Sequence, residues 1–271
     1  MRPKLACTLV AIFGVCVCAG RARAQTASSA EPATTAISHS SDTAGKSALP
    51  TAEEILEKFA NVSGGHAAWS GFTTLGMKGI YQTEDQSGFA GIEILIEAPN
   101  KKFIKITLQN GATVYEVCDG KSAWIEDPRG GIHEFTGAAL ESRMRDASIH
   151  SGAEILLGMP HGHVLGEAQV GTHSTYVVEL SPEKKFTSKV YFDTTSGFPV
   201  RADDTFHRDD GDYTVETDTE DFRAVEGAYF PYRIRHVEKG NVFTIRITQV
   251  KKNPPVDDAI FVKPDSSANE R

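Results

Sequence analysis

After Gly71 the apolar residues recur at every second position, in short runs broken by turn residues. Leu75, Met77 and Tyr81 alternate with Gly76, Lys78 and Gln82. Ile92, Ile94 and Ile96 alternate with Glu93 and Glu97 before Pro99-Asn100 turns the chain. Ile104, Ile106 and Leu108 alternate with Lys105 and Thr107, and Asn110-Gly111 turns it again. Tyr115 and Val117 continue the pattern, Asp119-Gly120 is another tight turn, and Ala123 to Glu126 follows. Period two is the spacing of a strand, whose successive side chains point to opposite faces, and Asn-Gly and Asp-Gly suit tight hairpin turns. The chain is therefore expected to form consecutive antiparallel hairpins with one apolar and one wet face. Alternation resumes later in Tyr176–Leu180, Val190–Phe192, Phe198–Phe206, Tyr213–Phe222, Tyr229–Val237 and Phe243–Ile247, giving about eleven strands in all.

Two stretches depart from this rhythm. Thr51 with Glu54 three places on forms a capping box, Ile55, Leu56, Phe59 and Val62 recur at helical spacing, and Gly64-Gly65 ends the run. A short helical turn over His66 to Ser70 brings Trp69 to the same surface. Between Gly137 and about Leu157, Ala138, Ala139, Leu140, Met144 and Ile155-Leu156-Leu157 predict one or two helices flanking Ser151-Gly152. These short helices are little cover for so many one-sided strands. A sheet of that size tends to curl, and a curled sheet with helices in its mouth leaves an apolar hollow suited to a lipid or acyl chain. A fully packed β core without a cavity satisfies the same pattern.

The ends set the compartment. Arg2 and Lys4 precede an apolar run from Leu5 to Gly20, and Ala22-Arg23-Ala24 places small residues ahead of a cleavage point at Gln25. The run falls short of the ~20 residues of a membrane-spanning helix, so residues 1–24 read as a cleaved signal peptide and the mature chain as a soluble periplasmic protein. Neither Cys16 nor Cys18 has the preceding residues of a lipid-attachment site. Losing Arg2, Lys4, Arg21 and Arg23, and no acid, moves the formal charge from −8 to −12, which argues against nucleic acid and against anionic lipid surfaces. Cys118 is then the one remaining cysteine and is expected as a packed core thiol. Residues 25–50, rich in Ala, Ser and Thr, are expected as a flexible leader, 51–264 as one β domain, and 265–271 as a disordered tail.

The C-terminal stretch Asn253-Pro-Pro-Val-Asp-Asp-Ala-Ile-Phe-Val-Lys-Pro264 resembles the closing segment of LolA-like proteins, the outer-membrane lipoprotein-sorting group. Tyr191-Phe192-Asp193 with Gly197-Phe198-Pro199-Val200-Arg201 is similar to that family's strand–turn–strand, and Asp221-Phe222-Arg223 with Gly227 and Phe230-Pro231-Tyr232 to its next hairpin. The opening helix, Gly64-Gly65-His66 and Gly120-Lys-Ser-Ala-Trp124 are similar too, so the likeness spans residues 51–264 in order. It implies a mainly β fold with helices, an unclosed antiparallel half-barrel of about eleven strands covered by a short helical lid. It also implies a hollow that binds lipid or lipoprotein acyl chains without chemistry.

On strand parity and this resemblance, Met77, Ile94, Ile106, Tyr115 and Trp124 are the expected lining, with Phe59 and Leu156 in the lid. The function expected is a periplasmic carrier or chaperone, monomeric, binding acyl chains and handing them on. The alternative is an envelope sensor or scaffold that binds an inner- or outer-membrane protein partner through the same fold. No catalytic residue, cofactor or metal is expected. His161-Gly-His163 lacks a third ligand nearby, Asp209-Asp-Gly-Asp212 lacks the rest of a calcium loop, and no Gly-x-Ser-x-Gly surrounds Ser63 or Ser151.

Overall fold

The computed structural model describes residues 48–84, 88–128, 130–149, 162–183, 186–207 and 211–264. Helix α1 (Ala52–Val62) starts on the expected box: the Glu54 N–H donates to Thr51 Oγ1 at 3.2 Å, and the Thr51 N–H to Glu54 Oε2 at 2.8 Å. Thr51→Ala removes one of these two bonds, and about 1 kcal/mol of stability should go with it in a denaturant melt. Beyond Ser63, Gly64 at φ 107° turns the chain into the short helix α2 (Gly65–Ser70).

Thirteen strands follow in a single antiparallel sheet. They are β1 (Thr74–Thr83), β2 (Phe89–Glu97), β3 (Lys101–Thr107), β4 (Thr113–Cys118), β5 (Ala123–Asp127) and β6 (Gly131–Glu134), then helix α3 (Gly137–Asp146). The second run is β7 (Gly162–Val170), β8 (His173–Glu183), β9 (Phe186–Asp193), β10 (Pro199–Phe206), β11 (Tyr213–Val225), β12 (Ala228–Glu238) and β13 (Asn241–Lys252). Each run is a meander, and they join where β1 pairs with β13, leaving β6 and β7 as the free edges. The sheet is unclosed, as the half-barrel expectation requires.

The two strands beyond the expected eleven are these edges. Gly-Ile-His-Glu in β6 has no apolar alternation, and the register of β7 shifts between Val164 and Gly166. A short or bulged edge resists pairing with a second chain, and it also erases the periodicity by which a strand is read.

The helices share one face of the sheet, called here the inner face. Ala52, Ile55, Leu56 and Phe59 of α1 bury against Val178, Leu180, Val190 and Phe192, with the Phe59 and Phe192 rings 5.8 Å apart. Trp69 of α2 and Phe72 pack on Phe230 at ring separations of 4.9 and 5.6 Å. The outer face has its own cover. After β13 the chain crosses it, and a 3-10 turn (Asp258–Phe261) sets Phe261 with Val256 and Ile260 against Val117, Trp124, Leu95 and Phe103. Lys101 ties this strap down through Asp258 at 2.8 Å, and Lys263 pairs with Glu134.

Candidate functional site

The inner face of β1–β3 and β12–β13 is an aliphatic wall. Register places Met77 opposite Ile94, Ile94 opposite Ile104 and Ile92 opposite Ile106, so the three rows are continuous. Ile234, Ile245, Ile247 and Phe243 extend it across the β1–β13 seam. Trp69, Phe72 and Ile149 belong to the same buried cluster. Met77, Ile94 and Ile106 therefore lie together on the covered face, Met77 only half-buried. Phe59 covers a different part of the sheet, over β8 and β9. Leu156, the other expected lid residue, lies outside the described residues.

Tyr115 and Trp124 fall on the outer face, opposite to Ile94 and Ile106. Trp124, 1% exposed, is buried against Val117 and Phe261 beneath the strap. Thr107 pairs with Thr113 across a five-residue loop closed by the Leu108 N–H to Ala112 O bond of 2.8 Å. That register puts Val114, Glu116 and Cys118 on the face of Ile104 and Ile106, and turns Tyr115 and Val117 outward. Strand β4 is apolar at Val114, Tyr115, Val117 and Cys118, so alternation alone does not say which face is inner.

At one end of the aliphatic wall the inner face turns polar. Lys102 follows Ile106 and Ile104 along the same face of β3, opposite Ile96 on β2, yet only 5% of it is exposed. Glu116 and Cys118 stand beside it on β4, and α3 lowers Arg143, 3% exposed, and Asp146 onto them. Arg143 Nε lies 3.6 Å from Glu116 Oε1, and its guanidinium rests on the Phe135 ring at 4.2 Å. Burial pushes the Asp146 carboxyl up to about 7, against the pull of Lys102, Arg145 and Arg143. The same burial pushes the Lys102 ammonium down. Arg145 reaches the other way, over the Phe186 ring of β9 at 5.1 Å, so α3 bridges both meanders. Sequence reasoning passed over this cluster because Lys101-Lys102 reads as the solvated end of a hairpin. The missed clue is parity: Lys102 shares the period of Ile104 and Ile106.

Cys118 is an inner-face core thiol, as expected. Its Sγ lies 3.7 Å from Asn100 O and 3.5 Å from Met144 Sδ, and burial pushes its pKa up. A thiolate is the reactive form, so an aromatic disulfide reagent should leave native protein lacking residues 1–24 untouched and titrate one thiol only after denaturation.

Other polar motifs build turns. Asp193 Oδ1 accepts from the Thr195 N–H at 3.1 Å and the Ser196 N–H at 2.6 Å, and its Oδ2 lies 2.9 Å from His173 Nδ1. Asp119 does the same for Lys121 and Ser122 ahead of Trp124. Among the described residues no group of three or more His, Cys, Asp or Glu side chains could hold a metal ion. His161, Asp209 and Asp210 lie outside them.

An unclosed antiparallel sheet, opened by a capped helix, covered by short helices on its inner face and strapped on its outer face, is a LolA-like half-barrel. The chain is similar to a LolA superfamily protein from Nitrosomonas europaea, at 17% identity and a TM-score of 0.50, over 79% of this chain and 99% of that one. It is also similar to a DUF1329 family protein from Desulfovibrio piger, at 10% identity and a TM-score of 0.53, over 81% and 99% of the two chains. A domain assigned to outer membrane lipoprotein sorting, from Vibrio parahaemolyticus, gives 9% and 0.50 over 78% and 97%. These likenesses establish the fold. No sequence-family model matches the chain, and no curated protein matches it by sequence.

Proposed function

We propose that the protein is an exported carrier that takes up the acyl chain of a lipid or lipoprotein against the inner face of the half-barrel and hands it on without covalent change. The supporting observation is the wall of Met77, Ile92, Ile94, Ile96, Ile104 and Ile106, covered among the described residues by Trp69 of the short helix α2, Phe72 and Ile149 rather than by a second sheet. Such a cover is small enough to exchange for a ligand. Each ligand methylene transferred from water to this wall contributes about 0.8 kcal/mol, so a long chain can compete with the side chains that fill the space. The signal-like residues 1–24 support a periplasmic setting for this exchange.

Native mass spectrometry and fluorescent-acyl titration of delipidated mature protein should show one saturable acyl ligand per chain. A protein that binds no acyl chain under either measurement would rule the carrier out. One observation favours the partner-binding alternative: Ile80 and Phe89, 38% and 60% exposed, lie near one another on β1 and β2. A stoichiometric envelope protein captured without lipid, and lost in Phe89→Ser, would support that reading instead.

A further inference from the structure

Helix α1 does not lie flush on the sheet. Ile55, Leu56 and Phe59 bury against β8 and β9, yet a cavity of about 70 Å³ remains beneath the first turns of the helix. A space of that size has room for several water molecules. Its floor is apolar and largely aromatic, formed by Ile55, Phe192 and Tyr176 with Pro50 beside them.

The rest of the lining is charged. Asp193 is only 8% exposed. Burial works against its charge, yet the Ser196 N–H, His173, the Ser196 hydroxyl and the Thr195 N–H hold the carboxyl down to about 2, so it is ionised. Glu54 and Lys58 stand one helical turn apart, the spacing at which such residues normally pair. Among the described residues these two do not. Lys58 Nζ donates instead to Thr194 O at 2.7 Å and Thr195 O at 3.1 Å, with its stem against Gly197. Glu54 Oε2 accepts the Thr51 N–H at 2.8 Å. The cavity is thus lined by two carboxylates and one ammonium, and that ammonium is already committed to the turn carbonyls.

The lining therefore has one negative charge in excess, set over aromatic rings. Ring faces attract positive charge, and carboxylates beside them favour a cation that has an apolar skin. We propose that the cavity beneath α1 binds an alkylammonium group about the size of trimethylammonium, borne by a free amine or by a zwitterionic head group. Tyr176 and Phe192 receive its methyl groups, while Glu54 from the helix and Asp193 from the sheet share its charge. A bound cation then ties α1 to β9. The site lies apart from the aliphatic wall, so it and the carrier reading stand or fall separately.

The test compares choline with its neutral analogue, in which a tert-butyl group replaces trimethylammonium at nearly unchanged shape. Isothermal titration of the chain lacking residues 1–24 should show one choline per molecule, bound roughly tenfold more tightly than the analogue. Choline should also raise the melting temperature, because it binds the folded chain alone. Glu54→Gln keeps the capping box, which accepts Gln at that position, so it should melt normally and lose most of the preference. Tyr176→Leu should weaken choline more than the analogue. Equal binding of the two compounds by the unmodified protein overturns the site and needs no variant to fold. An unchanged preference in Glu54→Gln overturns it too, and so does the absence of choline binding. A monomeric short-chain phosphatidylcholine separates the two sources: binding no tighter than choline assigns a free amine, and much tighter binding assigns the head group.

Discussion

Trp124→Ala should lower the unfolding free energy by about 3–5 kcal/mol and still leave acyl-chain affinity per folded molecule unchanged. The indole is 1% exposed and sits between Val117 on its own sheet and Phe261 of the C-terminal strap. Its removal leaves a cavity that a strap held by one 3-10 turn and two lysine pairs only partly collapses into. At about 2–4 °C per kcal/mol for a domain of this size, the melting temperature should fall by roughly 10 °C. The second half of the prediction follows from the face, because Trp124 points away from Ile94 and Ile106. A variant that melts normally but loses acyl binding would show that Trp124 meets the ligand after all.

Gly64→Ala should be the most damaging glycine-to-alanine change among the described residues. Gly64 sits at φ 107°, where an L-residue is strained, and a Cβ there would stand 2.0 Å from the Gly227 carbonyl oxygen. That oxygen belongs to the β11–β12 hairpin and cannot swing aside like a side chain. The surrounding corner is tightly bonded: the Tyr229 N–H and Trp69 Nε1 both donate to Ser63 O, at 3.0 and 3.1 Å. Strain of about 1–3 kcal/mol from the backbone alone is thus joined by a clash that pushes α1 and α2 off the sheet. Gly65 provides the control, since it too has positive φ, 70°, but nothing lies within 4 Å of an added Cβ. Gly65→Ala should lose only the backbone part, and a circular-dichroism melt of both variants decides the matter. Equal losses would mean that the Gly227 contact carries no weight.

The sequence made the helix cap, the hairpins and the helix-on-sheet layering legible, each for a local reason. Thr51 and Glu54 are three residues apart and find each other in any helix that starts there. Asn110-Gly111 and Asp119-Gly120 specify turns by backbone preference. What escaped was set at longer range. The edges β6 and β7 pair on one side only and have no need of alternation. The outward turn of Tyr115 and Trp124 depends on a loop register between two threonines, and on a strap more than a hundred residues away. Lys102 was hidden because a lysine next to a turn normally faces water. Its partners on α3 come from a helix with few apolar residues to announce a buried side.

The pairing of β1 with β13 has a consequence for the order in which the chain folds. Leu75 meets Lys252 and Tyr81 meets Ile245, so the middle of the sheet is made from nearly opposite ends of the folded sequence. Each meander consists of neighbours and can assemble early, whereas the seam between them closes the longest loop in the molecule and should be slow. While β13 is still being synthesised, the inner-face residues of β1 have no partner on that side. A chain with this seam cannot finish its core until its last strand arrives, however early each meander forms.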